Sequence, residues 1–539
     1  MRTSTYQKIS RGAMRGWIEG EIYNHLPATF FEDPISSVRE MKAEVIKDSR
    51  WRWACLFYLP NGKRIFLKRD RTKDWIESLK YLLLPSRGQK EWFISYRLRR
   101  QHLNIPKALG WLERVKGGFL RESYFLSEAI GKGVPLIGEG GKPSPHPSIL
   151  ELAKILRKIH DSGLFHRDLH GGNFLWDGDS LFLTDLHRAK ILKTLSLDQR
   201  LWNLSQLFHS LRASWGEKEQ ERFIEKYFEG EVLYSQEKER RVQRIRAFME
   251  DLQKRQWLSR TKRCLKESTE FSVCKEKGVR YYHRREVPLD RIRRSIEEHR
   301  GLVREKPFLL VKDGPGVAVS ILNGGSERVC VKQFRFPTIL GRVKDTFRRS
   351  KGLKAWIAAN GLRARGISSI KTFAMAERRG WLGPRESFLL MEASGEDQEM
   401  DRYLLKGFRD FQEKRSFVRS FARWLASVHQ KRLFHKDMKT CNIVVSGKGE
   451  EWKFCLLDLE DVLLNKRVGS NHLFKSFLQL NTSTPRVMTR TDRLRFFSEY
   501  VRLHPIVQNG GDFLRRLAQE SKRRDLVYVS PQGVVIERM

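Results

Sequence analysis

The sequence predicts an α+β chain built from two tandem copies of one domain, and three observations carry that prediction. The chain has 539 residues, which at roughly 100–200 residues per domain exceeds one small module. A motif occurs twice: residues 164–175 read LFHRDLHGGNFL and residues 433–444 read LFHKDMKTCNIV. The same succession of apolar patterns surrounds each motif. ILELAKILRKIH precedes the first and FVRSFARWLASVH the second, with apolar residues three and four apart, so both read as helices. LFLTDLHRAK at 181–190 and FCLLDLEDV at 454–462 follow, each containing a short apolar strand that ends in Asp-Leu.

The duplication extends upstream. RIFLKRD carries Lys68 and VCVKQFR carries Lys332, each in an apolar or alternating run that reads as a strand. YFLSE ends at Glu128 and FLLME ends at Glu392. Lys68 and Lys332 are 264 residues apart, as are Glu128 and Glu392, while Asp168 and Asp437 are 269 apart and Asp185 and Asp458 are 273 apart. A slowly growing separation is what small loop insertions in a second copy produce. The domains are therefore expected at 1–255 and 256–539. The basic stretch from about 238 to 300 (KERRVQRIR, KRQWLSRTKR, HRRE, RIRRS) is predicted as helix leading into the second domain. Its cations form either a solvated face or a surface for phosphate or membrane.

The ordered set Lys, Glu, Glu, His-Arg-Asp-x(4)-Asn, Asp resembles a protein-kinase-like phosphotransferase. The resemblance implies bilobal domains, each with a small β-rich N-lobe and a mostly helical C-lobe, and it implies ATP and Mg²⁺ as cofactors. Transfer of a phosphoryl group requires neutralised phosphates and an acceptor oxygen placed in line. In the first copy Lys68 fits the lysine that grips the phosphates, and Glu91, in SRGQKEW, the helix carboxylate that holds it. Asp168 fits the catalytic base, and Asn173 and Asp185 the hard-oxygen metal ligands. In the second copy Lys332, Asp437, Asn442 and Asp458 match the same roles. Gly314 and Gly316, in KDGPGVAV, are placed to form a phosphate-covering turn, and Glu128 and Glu392 are grouped with the nucleotide-binding residues. A strand lysine or a turn aspartate alone carries no such meaning, since most are solvated or cap helices. The meaning comes from the ordered set appearing twice.

Departures from the protein-kinase pattern narrow the resemblance. The first copy has His170 two residues after Asp168, and Asp185-Leu186-His187 in place of Asp-Phe-Gly. It lacks a glycine-rich loop, with only Gly62 near the lysine strand. These traits, with HRDLHGGNFL, TDLHRAK and RLWNLSQLFHSL, resemble the lipopolysaccharide core kinases, the Kdo and heptose(I) kinases of Gram-negative bacteria, over most of residues 50–215. The second copy is similar to the same family over most of 305–502, through SKGLKAWIAANGLRARGI, HKDMKTCNIVV and LNTSTPRVMTRTDRLRFFSEYV. The resemblance implies ATP-dependent phosphorylation of an inner-core sugar at the cytoplasmic face of the inner membrane. One residue breaks the second pattern: Ala355 stands where the first copy has Glu91, so the lysine lacks its carboxylate unless another acid replaces it. Lys439, two residues after Asp437, is the more protein-kinase-like choice. A weaker kinase, a differently built one and a pseudokinase all remain open for that copy.

Composition shows a strongly cationic chain. Lys plus Arg is 104 against 64 Asp plus Glu, a formal net charge of +40, which calls for polyanionic company. Charge alone does not choose among nucleic acid, anionic lipid and phosphorylated glycan; the family resemblance implies the lipopolysaccharide core, a lipid A precursor and the anionic membrane surface as partners. No helix-turn-helix or RNA-binding signature is visible, so no specific nucleic acid is expected. The same charge argues against a cationic aminoglycoside acceptor. A kinase for another acceptor and a non-catalytic kinase-like scaffold on anionic glycolipid are the alternatives. Trp17, Trp51, Trp53, Trp75 and Trp92 lie beside basic runs and are candidate interfacial anchors, with Trp92 the better candidate for core. The six cysteines form no CxxC pair, which gives no support to a zinc ribbon or redox site. No signal-peptide-like or spanning apolar run is present, so a cytosolic protein at the membrane surface is expected.

Overall fold

The computed structural model describes residues 6–131, 133–137, 149–231, 234–324, 327–336, 349–381, 383–393, 398–447, 451–507 and 509–538. The chain divides into two compact units, Met1–Gln253 and Lys254–Met539.

Seven antiparallel strands open the first unit: β1 (Tyr6–Arg11), β2 (Met14–Glu19), β3 (Glu44–Asp48), β4 (Arg52–Tyr58), β5 (Arg64–Arg71), β6 (Ala108–Lys116) and β7 (Phe119–Glu128). Their spatial order is β1-β2-β6-β7-β5-β4-β3. Side chains alternate across a strand, and β5 uses both faces. Ile65 and Leu67 are buried with Ile22, Phe30 and Val38 on one side, which leaves Lys68 for the other. The Arg87–Arg99 helix packs on β6 and β7. The helices Ile149–Asp161, Leu197–Leu211, Glu217–Tyr227 and Ser235–Lys262 follow, and Leu156, Phe174, Leu204 and Phe208 belong to their separate core.

The second unit repeats this plan. Its strands Phe271–Glu276, Val279–Arg284, Lys312–Gly314, Val317–Gly324, Glu327–Arg335, Thr372–Gly380 and Gly383–Glu392, taken in chain order, pair in the same spatial order as β1 to β7. The helices Phe411–Gln430, Ser470–Asn481, Arg490–Leu503 and Gly510–Lys522 follow the sheet. A hairpin of Asp525–Ser530 and Gly533–Arg538 ends the unit. Both units share one internal strut: His160 Nδ1 meets the Tyr227 hydroxyl at 2.6 Å, and His429 Nδ1 meets Tyr500 at 2.6 Å. Burial drives both imidazoles down to a pKa of about 3, so both are neutral.

The basic stretch at 238–300 is not a single helical linker. It begins in the Ser235–Lys262 helix, then supplies the first two strands of the second sheet and most of the Leu289–Glu305 helix. Charge density hid the buried Phe271 and Val279 and the half-buried Val273 between them. Among the tryptophans, Trp53 is core, Trp51 and Trp92 are half-buried, and Trp17 and Trp75 are exposed. Among the described residues no helix is long and apolar enough to cross a membrane.

Candidate functional site

Lys68 leaves β5 on the face turned from the sheet core and meets two acids. Its Nζ donates to Glu91 Oε2 at 3.0 Å and forms a short ion pair with Asp185. Glu91 is delivered by the Arg87–Arg99 helix, whose start is fixed by a side-chain cap from Ser86 to the Gln89 amide. Gly88 seats that helix flush on the sheet: a Cβ there would lie 2.3 Å from the Tyr124 carbonyl oxygen. His187 closes the cluster, with Nδ1 2.7 Å from Asp185 and Nε2 3.0 Å from Arg52 of β4. Burial opposes the charge on Lys68, yet Glu91, Asp185 and Asp70 outweigh it and hold the ammonium above the ordinary lysine range. Burial likewise disfavours the Asp185 carboxylate, but His187 and Lys68 hold it well below the ordinary range. Glu91, Asp185 and His187 are close enough to share a cation, and the Lys68 ammonium already fills that role.

The loop carrying Asp168 lies beside this cluster and is wired to it by His166. The His166 Nε2–H donates to the Asp185 carbonyl at 3.2 Å, which leaves Nδ1 to accept from the Asp168 amide at 3.2 Å. Burial lowers its pKa to about 4, so the neutral tautomer persists. The Asn173 amide donates to the Asp168 carbonyl at 2.9 Å, which brings both ends of the x(4) interval together. The Asp168 carboxylate pairs with Arg188 and is about half exposed. Gln206 braces the loop from below, donating to the Arg167 carbonyl at 2.7 Å. Asp185 itself adopts a left-handed backbone, φ 60° and ψ 43°, a conformation that Asp tolerates better than bulky residues.

The second unit builds the same site from a different set. Lys332 Nζ donates to Asp458 at 2.7 Å and to Glu460 at 2.9 Å. Glu460 lies two residues after Asp458, the place that His187 holds in the first unit, while Ala355 is buried on the helix. The missing helix carboxylate is thus replaced from the opposite side. Glu460 and Asp458 overcome the burial of Lys332 and raise its pKa, and Asp458 is lowered by Lys332 against its own desolvation. Asp458 is also left-handed, φ 44° and ψ 53°. His435 bridges the Asp437 amide and the Leu457 carbonyl at 3.2 and 3.0 Å. Asn442 donates to the Asp437 carbonyl at 2.8 Å, and Gln479 repeats the brace at the Lys436 carbonyl at 3.0 Å. Here Lys439 pairs with Asp437, at 3.2 Å.

Four of the expected nucleotide-binding residues, Glu128, Glu392, Gly314 and Gly316, lie outside these hydrogen-bonded clusters. Glu128 ends β7 and faces Lys107 at 3.7 Å, and Glu392 faces Lys371 at 3.9 Å, both part-exposed. Gly62 lies in the turn between β4 and β5, bonded to Leu59, at the far end of the hairpin from Lys68. Gly314 and Gly316 do form the turn before the Val317–Gly324 strand, with the Arg335 amide on Gly316 O at 3.0 Å. The matching bond in the first unit runs from the Arg71 amide to Trp51 O at 2.9 Å, so the equivalent turn there is Ser-Arg-Trp and contains no glycine. Sequence reasoning missed Glu460, His187, Gln206, Gln479, Arg188 and the two motif histidines as site components. The near-constant repeat offset could have found Gln206 and Gln479, which are 273 residues apart like Asp185 and Asp458.

A strand lysine tied to a carboxylate, beside a loop that presents Asp and Asn over a left-handed Asp, defines each unit as a kinase-like phosphotransferase fold. The chain belongs to the lipopolysaccharide kinase (Kdo/WaaP) family, whose sequence signature matches residues 42–227 and 342–500. That membership places it with the sugar kinases of lipopolysaccharide core. A solved structure titled "WaaP in complex with acyl carrier protein" is 18% identical, with a TM-score of 0.33, and the match covers 40% of this chain and 87% of that one. No curated protein matches the chain.

Proposed function

We propose that this protein is an ATP-dependent kinase that phosphorylates a hydroxyl of Kdo or heptose in the lipopolysaccharide inner core, at the cytoplasmic face of the inner membrane. The observation that carries the reading is the Lys68–Glu91–Asp185 cluster beside the Asp168–Asn173 loop, in a chain of this family. Lys68, held charged by two acids, grips the triphosphate of ATP. Asp168 orients the acceptor hydroxyl and accepts its proton as the bond from that oxygen to the γ-phosphorus forms and the bond from the γ-phosphorus to the β,γ-bridging oxygen breaks, so that ADP leaves. Arg188, paired with Asp168 at an exposed position, binds a phosphate or carboxylate of the incoming acceptor.

Asp185 and Asn173 fit Mg²⁺ by their chemistry. Both offer hard oxygen, and the Asn173 Nδ2 is already spent on the Asp168 carbonyl, which leaves its Oδ1 as the ligand atom. The ion, when bound with ATP, neutralises charge on the phosphates. In the second unit Asp458 and Asn442 offer the same pair of oxygens, and Lys332 is held by Asp458 and Glu460. We infer that this unit also binds nucleotide and that the first unit is the main site of transfer.

The test is phosphate transfer to deacylated core acceptors by the full chain. Asp168→Ala is expected to abolish transfer while ATP still binds. Unchanged turnover in that variant would move the chemistry to Asp437, and no turnover of the wild-type chain on any core sugar would sink the reading.

A further inference from the structure

The Trp75–Leu83 helix is inside out. A helix on a folded domain normally turns its apolar stripe to the core and its polar face to water. Here Trp75 is 68% exposed, Leu83 is 91% exposed, and Ile76, Leu79 and Leu82 are also exposed, while Ser78 is 1% exposed. At about 100° per residue these five apolar side chains cover roughly 120° of the helix circumference, one continuous outward stripe. Leu84 extends it beyond the helix end.

The polar face does the anchoring. Ser78 donates to the Leu120 carbonyl at 2.9 Å, and Glu77 accepts from Arg87 at 2.7 Å and from the Lys73 amide at 2.8 Å. Asp74 caps the helix at the Glu77 amide, at 2.8 Å. The helix therefore does not hang loose with its greasy side exposed by accident of packing. It is pinned with that side outward.

We propose that this helix is a lipid-docking element that lies in the interface of an anionic membrane. Two features choose lipid over other occupants. Lys73 and Lys80 flank the stripe, both exposed, and such cations add attraction to an anionic leaflet. Trp75 opens the stripe at the N-terminal end of the helix, exposed, and an indole favours the boundary of headgroup and acyl chain. Arg87, which holds Glu77, begins the helix that carries Glu91, so the docked segment joins directly to the element that positions Lys68. The inference rests on the reading of the chain as a kinase of a membrane-borne glycolipid, since it gives that kinase its foothold.

The experiment is co-sedimentation of the full chain with vesicles of phosphatidylethanolamine and phosphatidylglycerol, and with vesicles of phosphatidylcholine. The wild-type chain is expected to bind the anionic vesicles. The triple variant Trp75→Ser/Leu79→Ser/Leu83→Ser, which touches no core position, is expected to bind them at least about tenfold more weakly. Lys73→Gln/Lys80→Gln is expected to lose roughly fivefold per lysine on anionic vesicles and nothing on phosphatidylcholine. Wild-type-like vesicle binding by the triple variant overturns the proposal. So does a wild-type chain that binds no vesicle, or one that dimerises through this face, read as a dimer by light scattering that the triple variant turns into monomer. Vesicle binding is read without any phosphate transfer, so a chain that docks but transfers nothing counts against the proposed function and leaves the docking element standing.

Discussion

The two units hold their lysines in different ways, and the difference shows what the site requires. In the first, the acids come from the helix (Glu91) and from the start of the Asp185 loop, and His187 completes the ring. In the second, the helix position is Ala355 and the second acid is Glu460, on the same loop as Asp458. A second exchange accompanies the first. Asp168 is paired by Arg188, three residues after Asp185, whereas Asp437 is paired by Lys439, from its own loop, and the place of Arg188 is taken by Asp461. Each unit ends with one buried ammonium against two carboxylates and one cation on the motif aspartate. The charge arrangement is kept and the element that supplies it is free to change, because a buried lysine needs its charge balanced and does not register which strand or helix does so.

The largest expected effect sets the two aspartates against each other. Asp168→Ala should lower transfer by about 10²–10⁴-fold, measured as phosphate incorporation, while Asp437→Ala leaves most of it. The reverse pattern would make the second unit the catalyst.

Acid tests what the units share. His160 and His429 have folded pKa values of about 3 and His166 of about 4, against an ordinary 6.5. Their folded values are depressed, so below pH 6.5 the unfolded chain binds protons that the folded chain refuses. Their stabilisation is complete above pH 6.5 and is lost as pH falls toward 4, by about 1.4 kcal/mol per histidine per pH unit. A thermal midpoint that stays flat between pH 6.5 and 5 would show these imidazoles to be solvated.

The exchange of acids can be reversed. Glu460→Gln should weaken nucleotide binding to the second unit by about tenfold, since one buried charge partner of Lys332 is lost. Ala355→Glu/Glu460→His, which transplants the arrangement of the first unit, should recover most of it. A transplant that binds no better than Glu460→Gln would mean that the helix of the second unit cannot deliver a carboxylate.

The smallest effect concerns a brace present on one side only. Asn203 joins His160 Nε2 at 3.3 Å to the His166 amide at 3.1 Å. The matching residue, Ser476, is buried without a hydrogen-bond partner, and so is His429 Nε2. Asn203→Ser should destabilise the first unit by about 1–3 kcal/mol, read from denaturant midpoints. An unchanged midpoint would show the brace to be idle.

Most of this site was legible in the sequence, and the reasons differ by residue. Lys68, Asp168, Asn173 and Asp185 were found because their order and spacing repeat, and Glu91 because the kinase-like order calls for a helix acid after the lysine strand, in SRGQKEW, which aligns with SKGLKAW. The same alignment exposed Ala355 as a gap and could not say what filled it. Glu460 was invisible because its counterpart is a histidine, so the repeat carries no acid there to compare. Glu128 and Glu392 match each other well too, and each ends its strand facing a lysine, Lys107 and Lys371, outside the lysine cluster. The repeated sheets were legible only in part, since the dense charge between 263 and 300 masked two strands that occupy in the second sheet the places of β1 and β2 in the first.

Gly88 has one more consequence. With the Tyr124 carbonyl directly beneath it, the helix bearing Glu91 rests on the sheet with no spacer, and Ser86 and Arg87 latch its first turn. A helix so seated has little room to rock, and without rocking there is no off position for Lys68. On this view the Lys68–Glu91 pair is set by the fold itself and stands assembled before any ligand arrives.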